Sequence, residues 1–325
     1  MPNNTQSDIE LIVSVVRKYY EMGMTQDQIS SEEFISKSTV SRLLKKATEN
    51  GIVQFQLNYP VDSIKDIKRE FRKYFSFSNL HIAPTFTDNP ETKLRDTCRL
   101  AANDICNMLE KDDILGIGWG LSMEQLTEIL STEIIIKVKC DKVVMIDGSI
   151  ASDINSMQST SIIKKLADFF SADGYLMPVP MIVDCKETAD ILKEDSHVRY
   201  VMDYARKARI AVFSIGYASH DSVLRKRGAY SKKEYDEALS NGAVGDILGH
   251  CFNIAGRSVS KETEERIIAL SLDEVREKEH RIGIAVGPNK AKAIIGALRG
   301  NIVNHLYTDG DTAKEVIRII RKTFN

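Results

Sequence analysis

The feature that most constrains this chain is an alternation of short apolar runs with stretches of helical periodicity, from about residue 114 to residue 309. The strand-like runs are ILGIG, KVVMID, GYLMPVP, RIAVFSIG, RIIALSL, RIGIAV and NHLYTD. Between them, apolar residues recur at helical spacing, as in Ile163, Leu166, Ala167 and Phe170. Short buried strands separated by helices are typical of βαβ units. We therefore predict a mainly parallel α/β sheet whose ligands bind beyond the carboxyl ends of the strands.

The loop that follows the run ILGIG has the chemistry of a ligand site. Gly118 and Gly120 would let the backbone approach a ligand closely, and a helix is expected to begin near Leu121. Free N–H groups at a helix start attract anions, and Ser122 adds a hydroxyl donor. The spacing matches neither GxGxxG nor a Walker A loop, which disfavours dinucleotides and nucleoside triphosphates. Many ordinary strand-to-helix turns also contain two glycines, so this motif alone is weak.

Three other loops place polar side chains beside strands. In the loop 287–290 we expect Asn289 to cap a helix, so that Lys290 would oppose the helix dipole by roughly 0.3–1 kcal/mol. A bound phosphate would offset that cost, whereas a lysine that simply reaches solvent is the alternative. Asp309 fits a helix N-cap better than a ligand contact. Asp246, beside two glycines, would bind a ligand hydroxyl or fix its own loop.

The first sixty residues predict a winged helix-turn-helix. An apolar helical face ends at Gly23, and Thr25 then starts a second helix with Gln28 completing a capping box. A third helix with a buried stripe ends at Asn50-Gly51, and the alternating run 52–57 predicts a strand. The apolar positions of the first and third helices are Ile12, Val15, Val16, Tyr19, Tyr20, Val40, Leu43, Leu44 and Ala47.

The exposed face of the third helix is rich in hydroxyl and cationic side chains. Small hydroxyl residues let a helix N-terminus approach DNA, and lysine or arginine can pair with the phosphate backbone. A charge stripe alone would indicate an ordinary solvated face, but a preceding helix and short turn are typical of a recognition helix. The candidate DNA contacts are Thr25, Gln26, Ser36, Lys37, Ser38, Thr39, Ser41, Arg42 and Lys45.

Several motifs together resemble the SorC-type family of sugar-sensing bacterial transcriptional regulators. They are RKYYEMGMTQDQI, ISKSTVSRLLKKATENGIVQFQLNYP, LGIGWGLSM, VVMIDGSI, VFSIGYAS, NGAVGDILGHCFNIAGRSV and AVGPNKAKAIIGALRGNIVNHLYTD, in that order. The resemblance covers nearly the whole chain. It implies a winged helix-turn-helix followed by a Rossmann-like α/β effector domain, related to ribose-phosphate isomerases and glucosamine-phosphate deaminases but used for sensing.

The resemblance also implies an effector site. A sugar phosphate would contact Gly118, Trp119, Gly120, Leu121, Ser122 and Lys290, and the hydroxyl-binding side would be shaped by Gly148, Ser149, Gly216, Asp246 and Asn253. Covalent capture of an open-chain sugar is not expected, because position 147 holds aspartate where a Schiff base would need lysine. Near the recognition helix, Glu33-Phe34 replaces the usual Leu-Gly, and we expect Phe34 to fill the space of the missing apolar contact.

Composition excludes several classes of protein. Forty-four Lys and Arg against forty-six Asp and Glu give a net charge of −2, but the sensing domain dilutes any local surplus and whole-chain charge is the wrong scale for DNA binding. Residues 8–50 carry six Lys and Arg against seven Asp and Glu, so non-specific DNA affinity should be modest. The five scattered cysteines are expected to be reduced thiols, and neither they nor the six histidines have metal-ligand spacing. No signal peptide and no apolar run of eighteen residues is visible, so we expect a cytoplasmic protein without a membrane span.

We therefore predict a DNA-binding domain over 1–58 and a sensing and oligomerisation domain over 59–325, with a connector helix at about 62–75. The function expected is an operator-binding homodimer or homotetramer switched by a phosphorylated sugar, with a lean toward ketose or sugar-alcohol phosphates and no cofactor. One alternative is a sugar-phosphate isomerase or deaminase, for which Asp147, Asp184 and Asp246 are the available carboxylates. The other alternative is a regulator that acts through protein partners without DNA contact, suggested by Glu32-Glu33 beside the turn.

Overall fold

The computed structural model describes residues 6–53, 62–75, 79–84, 86–135, 138–150 and 157–324. The chain divides into two compact units, Met1–Pro60 and Val61–Asn325. The described helices, in chain order, are α1 (Gln6–Tyr20), α2 (Gln26–Glu32), α3 (Lys37–Glu49), α4 (Asp62–Tyr74), α5 (Pro90–Met108), α6 (Leu121–Thr132), α7 (Met157–Phe170), α8 (Lys186–Glu194), α9 (Ser196–Lys207), α10 (Val223–Lys226), α11 (Lys232–Ser240), α12 (Lys261–Arg266), α13 (Leu272–Arg276), α14 (Ala291–Arg299) and α15 (Gly310–Phe324).

The first unit is built from three short helices around a small apolar centre. Val15, Ile29, Val40 and Leu44 are buried together, so each helix contributes to one core. The predicted capping box forms, since the Thr25 side chain accepts from the Gln28 N–H while the Gln28 side chain accepts from the Thr25 N–H. The three predicted helices are therefore observed. Most of the strand predicted over 52–57 lies outside the described residues, because the description stops at residue 53.

The second unit contains a seven-stranded sheet and a smaller three-stranded sheet. The described strands are β1 (Asn79–Ala83), β2 (Ile114–Ile117), β3 (Lys142–Met145), β4 (Asp173–Tyr175), β5 (Ile210–Ser214), β6 (Gly216–Tyr217), β7 (Ala243–Ile247), β8 (His250–Asn253), β9 (His280–Ala285) and β10 (His305–Asp309). The large sheet has the order β1-β10-β9-β5-β2-β3-β4 and every pairing in it is parallel. Strands β6, β7 and β8 pair antiparallel. The predicted mainly parallel α/β fold is confirmed.

Helices cover the large sheet because its central strands are apolar on both faces. Strand β5 shows this, since four consecutive residues from Ile210 to Phe213 are buried. Helix α4 contributes Ile67 and Phe71 to the same core, and Phe75 directly after the helix joins them. It also contacts α15, where Arg321 lies 3.0 Å from Glu70. The helix expected as a connector is thus part of the packed second unit.

Two strand predictions need correction. The run RIIALSL forms no strand ladder among the described residues, only single bridges from Ile267 to Ile182 and from Ala269 to Asp147. Its residues are nevertheless buried, and an apolar run alone does not distinguish a strand from a buried connection. Strands β1, β7 and β8 were not among the predicted strands, and in β1 the polar Asn79 and His81 interrupt the apolar pattern.

Candidate functional site

A cavity of about 390 Å³ lies beyond the carboxyl ends of β2, β3 and β5. This is the edge of a parallel sheet at which ligands bind, and the volume lies in the range of small-molecule sites. Its walls combine apolar, cationic and carboxyl side chains: Trp119, Gly120, Leu121, Ser122, Asp147, Phe213, Ser214, Gly216, Tyr217, Val223, Leu224, Lys226, Arg227, Asp246, Leu248 and Lys290.

The loop between β2 and α6 forms one wall with backbone N–H groups. Helix α6 begins at Leu121 as predicted, and no side chain caps its N-terminus. Gly120 has φ +121°, a conformation that suits glycine, and a Cβ there would lie 3.2 Å from the Ser214 hydroxyl. Ser122 in the first turn is buried. An uncapped helix start beside a buried hydroxyl can accept an anion.

Lys290 forms the cationic part of the cavity. The expectation that Asn289 caps the helix is wrong, because a short 3₁₀ turn (Pro288–Lys290) comes first and Lys290 itself occupies the N-cap of α14. The Asp309 carboxylate accepts a hydrogen bond from the Gly287 N–H at 3.0 Å and caps α15, which ties this loop to the end of β10. Lys290 therefore stands at the positive end of a helix, as an anion site requires.

Lys290 and Asp246 influence each other's charge. Loss of solvent lowers the pKa of Lys290, and the Asp246 carboxylate opposes that effect. Burial raises the pKa of Asp246 to about 7, against the opposing charges of Lys290 and His250. Gly216 makes room for Asp246, since a Cβ at that position would overlap the carboxylate. This part of the cavity thus pairs the amine of Lys290 with a carboxyl, that of Asp246, which is partly protonated near neutral pH.

Asp147 is a second buried carboxyl on the cavity wall. Its side chain has no exposed surface, and burial raises its pKa well above the ordinary value. Its Oδ2 accepts from the Trp119 N–H at 3.4 Å, while its Oδ1 has no hydrogen-bond partner among the described residues. The Ser214 hydroxyl on the same wall also lacks a described partner. Buried polar atoms are normally paired, so these two atoms indicate a place for a polar ligand.

The outer part of the cavity is apolar and positive. The Arg227 guanidinium lies 5.9 Å from the ring centroid of Trp119, within the range of a cation–π contact. Lys226 lies beside it in the lining, and Leu121 is 59% exposed at the same cavity.

The cavity brings together Trp119, Gly120, Leu121, Ser122, Gly216, Asp246 and Lys290 of the residues expected to bind the effector. Four others do not line it. Gly118 is buried against Leu248, and Gly148 packs against the backbone of Pro180 and Met181. The Ser149 backbone pairs with Val179 and Met181, and Asn253 Oδ1 accepts from the N–H groups of Ala255 and Arg257 to close its own turn.

Nine lining residues were absent from the expected effector contacts, among them the polar residues Asp147, Ser214 and Arg227. Asp147 was considered only as a general base, or as the position where a Schiff base would need lysine. A carboxylate directly after the apolar run KVVMI could nevertheless have been predicted to line the site, because ligands bind beyond the carboxyl ends of parallel strands. Ser214 lies inside an apolar strand, and Arg227 lies in a polar segment after Ser222, so no sequence pattern connects either of them to the cavity.

In the first unit, two candidate DNA contacts also have structural roles. Thr25 and Ser36 are the N-caps of α2 and α3, and the Ser36 hydroxyl accepts from the Thr39 N–H at 3.1 Å. Lys37 pairs with Asp27 at 2.9 Å, whereas Arg42 has no ion-pair partner among the described residues. The other candidates on α2 and α3 are Gln26 and Thr39, which are half-buried, and Ser38, Ser41 and Lys45, which are exposed. These residues form a polar face that suits the DNA backbone and base edges.

The expectation that Phe34 fills an apolar gap is wrong. Its side chain is 94% exposed, and its backbone has φ +55°. The preceding Glu33 turns inward, with its carboxylate 2.8 Å from the Lys18 ammonium and hydrogen-bonded to the Ser14 hydroxyl. Lys18 and Ser14 therefore bind the carboxylate of Glu33, at the position where an apolar side chain was expected.

Among the described residues, no helix has both the length and the apolar character needed to span a bilayer. The same residues contain no group of three or more His, Cys, Asp or Glu side chains able to hold a metal ion.

Comparison with known proteins shows similarity along nearly the full chain. A family of sugar-binding domains (Sugar-bind) matches residues 59–318. The deoxyribonucleoside regulator of Bacillus subtilis is 28% identical over 95% of this chain and 97% of its own length. The sorbitol operon regulator of Klebsiella pneumoniae is 27% identical over 96% of this chain and 98% of its own length. The crystal structure of full-length SorC from Klebsiella pneumoniae has a TM-score of 0.77 at 27% identity, covering 96% of this chain and all of that chain (100%).

Proposed function

This chain belongs to the SorC-type family of sugar-binding bacterial transcriptional regulators, and from that premise we propose that a phosphorylated sugar in the cavity controls its binding to operator DNA. The first unit would bind the DNA and the second would sense the sugar. The observation that carries the proposal is the cavity itself, in which an uncapped helix start, Lys290 and two buried carboxyls meet at one sheet edge.

The phosphate would lie against the N-termini of α6 and α14. The α6 backbone offers N–H donors, Ser122 offers a hydroxyl, and Lys290 offers one positive charge toward the two negative charges of a phosphate dianion. Binding of the dianion would also favour the protonated form of Lys290, whose pKa is lowered in the empty cavity.

The sugar hydroxyls would meet the two carboxyls and Ser214. The Asp147 carboxyl, when protonated, donates one hydrogen bond and accepts others, so it can recognise either a hydroxyl or a carbonyl oxygen. The apolar walls, including Phe213 and Leu248, would contact the carbon skeleton. This division into an anionic end and a hydroxyl end suits a small sugar phosphate better than a neutral sugar.

Control of DNA binding requires that the sugar bind two states of the protein with different affinity. A hundredfold effect on operator affinity corresponds to about 2.7 kcal/mol of coupling free energy. A homodimer or homotetramer is part of the proposal, because a palindromic operator needs paired recognition helices. We place the protein in the cytoplasm, where operator DNA and phosphorylated sugars are found.

The relatives are named as regulators, and we propose that this chain likewise has no turnover of its effector. A ketose or sugar-alcohol phosphate remains our preferred effector class, and the name of the sorbitol operon regulator agrees with it. The name of the deoxyribonucleoside regulator adds deoxypentose phosphates to the set that needs testing.

A binding experiment on the full chain tests the proposal. Trp119 is the single tryptophan and lies on the cavity wall, so its fluorescence reports on that site directly. Fructose 6-phosphate, sorbitol 6-phosphate, ribose 5-phosphate and deoxyribose 5-phosphate would be compared with the same sugars without phosphate. We expect one phosphorylated sugar to change the fluorescence and raise the unfolding temperature, and its free sugar to do neither.

The responding sugar phosphate would then be tested for its effect on DNA retention. The probe is a set of duplexes that the full chain selects from a randomised pool, and Arg42→Ala should weaken that binding and lower its salt dependence. Failure of every phosphorylated sugar to bind would contradict the effector proposal. Product formation during incubation would instead support the enzyme alternative.

A further inference from the structure

Phe34 combines an unfavourable backbone with full exposure of an aromatic ring. Its φ of +55° lies in the left-handed region, which bulky residues rarely adopt. Its side chain is 94% exposed, the highest exposure among the large apolar residues described. Glycine or asparagine would fit this backbone better, and a polar side chain would suit this exposure better. Phenylalanine at this position therefore destabilises the unit through its backbone conformation and through the exposure of its ring, so the stability of the fold does not explain its presence.

The turn that carries Phe34 is held on both sides. The Glu33 N–H donates to the Ile29 carbonyl at 2.9 Å, and the Ile35 N–H donates to the Ser30 carbonyl at 3.1 Å. The Ser30 hydroxyl donates to the Ile35 carbonyl at 2.6 Å. Because the backbone is fixed before and after Phe34, the strain cannot relax locally and the ring stays outside.

The exposed ring lies next to the face proposed for DNA. Phe34 is two residues before Ser36, the N-cap of α3, whose first residues Lys37 and Ser38 are exposed. The one carboxylate adjacent in sequence, that of Glu33, faces α1 instead, where Lys18 and Ser14 hold its pKa below the usual range. On the α3 side the exposed residues nearest the ring in sequence are Ser36, Ser38 and Lys37, and the Lys37 ammonium is paired with Asp27 at 2.9 Å. The two hydroxyls can donate to phosphate or base edges beside the ring.

We propose that Phe34 contacts the operator directly, with its ring packed against thymine methyl groups at the edge of the major groove when α3 is docked. This inference rests on the proposed DNA binding by the first unit. The thymine methyl is the apolar feature of the major groove, and phenylalanine is among the side chains that recognise it. A solvated ring loses water on such contact, and the backbone that carries it is already fixed by the hydrogen bonds on both sides.

The test uses the full chain and the duplexes it selects from a randomised pool. Phe34→Gly removes the ring and the backbone strain together, and Phe34→Asn keeps a side chain that tolerates the left-handed region. Both variants should unfold at the same temperature as the parent chain or higher. Both should bind the selected duplexes roughly five- to tenfold more weakly. Phe34→Leu, which keeps an apolar side chain, should retain part of the affinity.

Thymine-to-uracil substitution in the duplex removes only the methyl group. For the parent chain, uracil at one or two thymine positions per half-site should weaken binding. For Phe34→Gly, uracil at those same positions should not weaken binding. The salt dependence should stay unchanged for Phe34→Gly and fall for Arg42→Ala, because only the arginine pairs with phosphate. Val13→Ala, at an exposed apolar position on α1, is the matched control and should bind as the parent does.

Two results would overturn the assignment of Phe34: parent-like affinity of Phe34→Gly, or equal sensitivity of both chains to uracil at every thymine. A variant that binds DNA normally but no longer self-associates would assign the ring to a protein interface. If the parent chain selects no duplex, the proposed DNA binding itself fails. That outcome is distinct from failure of the Phe34 proposal, in which the parent chain selects duplexes and Arg42→Ala weakens binding but Phe34→Gly does not.

Discussion

The buried carboxyl of Asp246 should make the stability of the second unit depend on pH, and Asp246→Asn isolates this effect. Burial raises its pKa from the ordinary 3.8 to about 7. A pKa that is higher in the folded than in the unfolded chain means that folding favours the protonated form. The contribution of protonated Asp246 to the free energy of unfolding is therefore complete below about pH 4 and is lost as the pH rises through 7.

The size of the effect follows from the pKa difference. Each pKa unit corresponds to about 1.4 kcal/mol, so the whole titration amounts to about 4 kcal/mol in the free energy of unfolding. About 3 kcal/mol of this falls between pH 5 and pH 8. In Asp246→Asn the carboxyl titration is gone, and Lys290 loses the carboxylate that opposes the lowering of its pKa. Both changes make the stability of the variant rise relative to the parent as the pH increases.

Urea unfolding followed by Trp119 fluorescence measures this, because the only tryptophan lies in the second unit. The free energies of parent and variant would be compared at pH 5, 6, 7 and 8 in the absence of sugar. We expect their difference to change by about 3 kcal/mol across that range, in favour of the variant at high pH. Parallel curves would refute the reasoning, since they would mean that Asp246 keeps the same protonation state throughout.

Three further variants test other parts of the structure. Lys290→Met should abolish the stabilisation by a phosphorylated sugar, which for the parent is about 2.7 kcal/mol at a hundredfold excess over Kd; an unchanged thermal shift would exclude Lys290 from the phosphate site. Burial raises the pKa of Asp147, so Asp147→Asn, which puts a neutral amide in place of the carboxyl, should make the free energy of unfolding rise relative to the parent as the pH increases; parallel curves in urea unfolding at pH 5 to 8 would contradict this. Thr25→Ala should cost the first unit about 1 kcal/mol through loss of the capping box, measured by circular dichroism at helical wavelengths, and Thr25→Ser should restore it.

Local sequence patterns predicted the features that depend on local physics. The capping box of Thr25 and Gln28 forms because both hydrogen bonds lie within four residues. The start of α6 at Leu121 and the cap of α15 by Asp309 follow from the same short-range rules. The parallel sheet was predictable as a class, because buried strands must be apolar on both faces.

The cavity needed contacts between distant parts of the chain. Asp147, Ser214 and Arg227 come from distant segments of the chain, and only the tertiary fold brings them to one cavity. Gly148 and Asn253 share motifs with lining residues, yet close packing and a local turn hold them away from the cavity. Sequence proximity to a site did not decide which side chains line it.

The sequence by itself determined the helix boundaries in the first unit, the mainly parallel sheet and the loops worth searching, because periodicity, capping and strand ends act over a few residues. Only the tertiary structure decided the shifted pKa values of Asp246 and Lys290, the Asp147 oxygen that has no hydrogen-bond partner among the described residues, and the exposure of Phe34. These depend on desolvation and on neighbours tens to hundreds of residues away, so no local pattern records them. For Phe34, the inward turn of Glu33 to Lys18 left the ring outside, and that contact joins two helices.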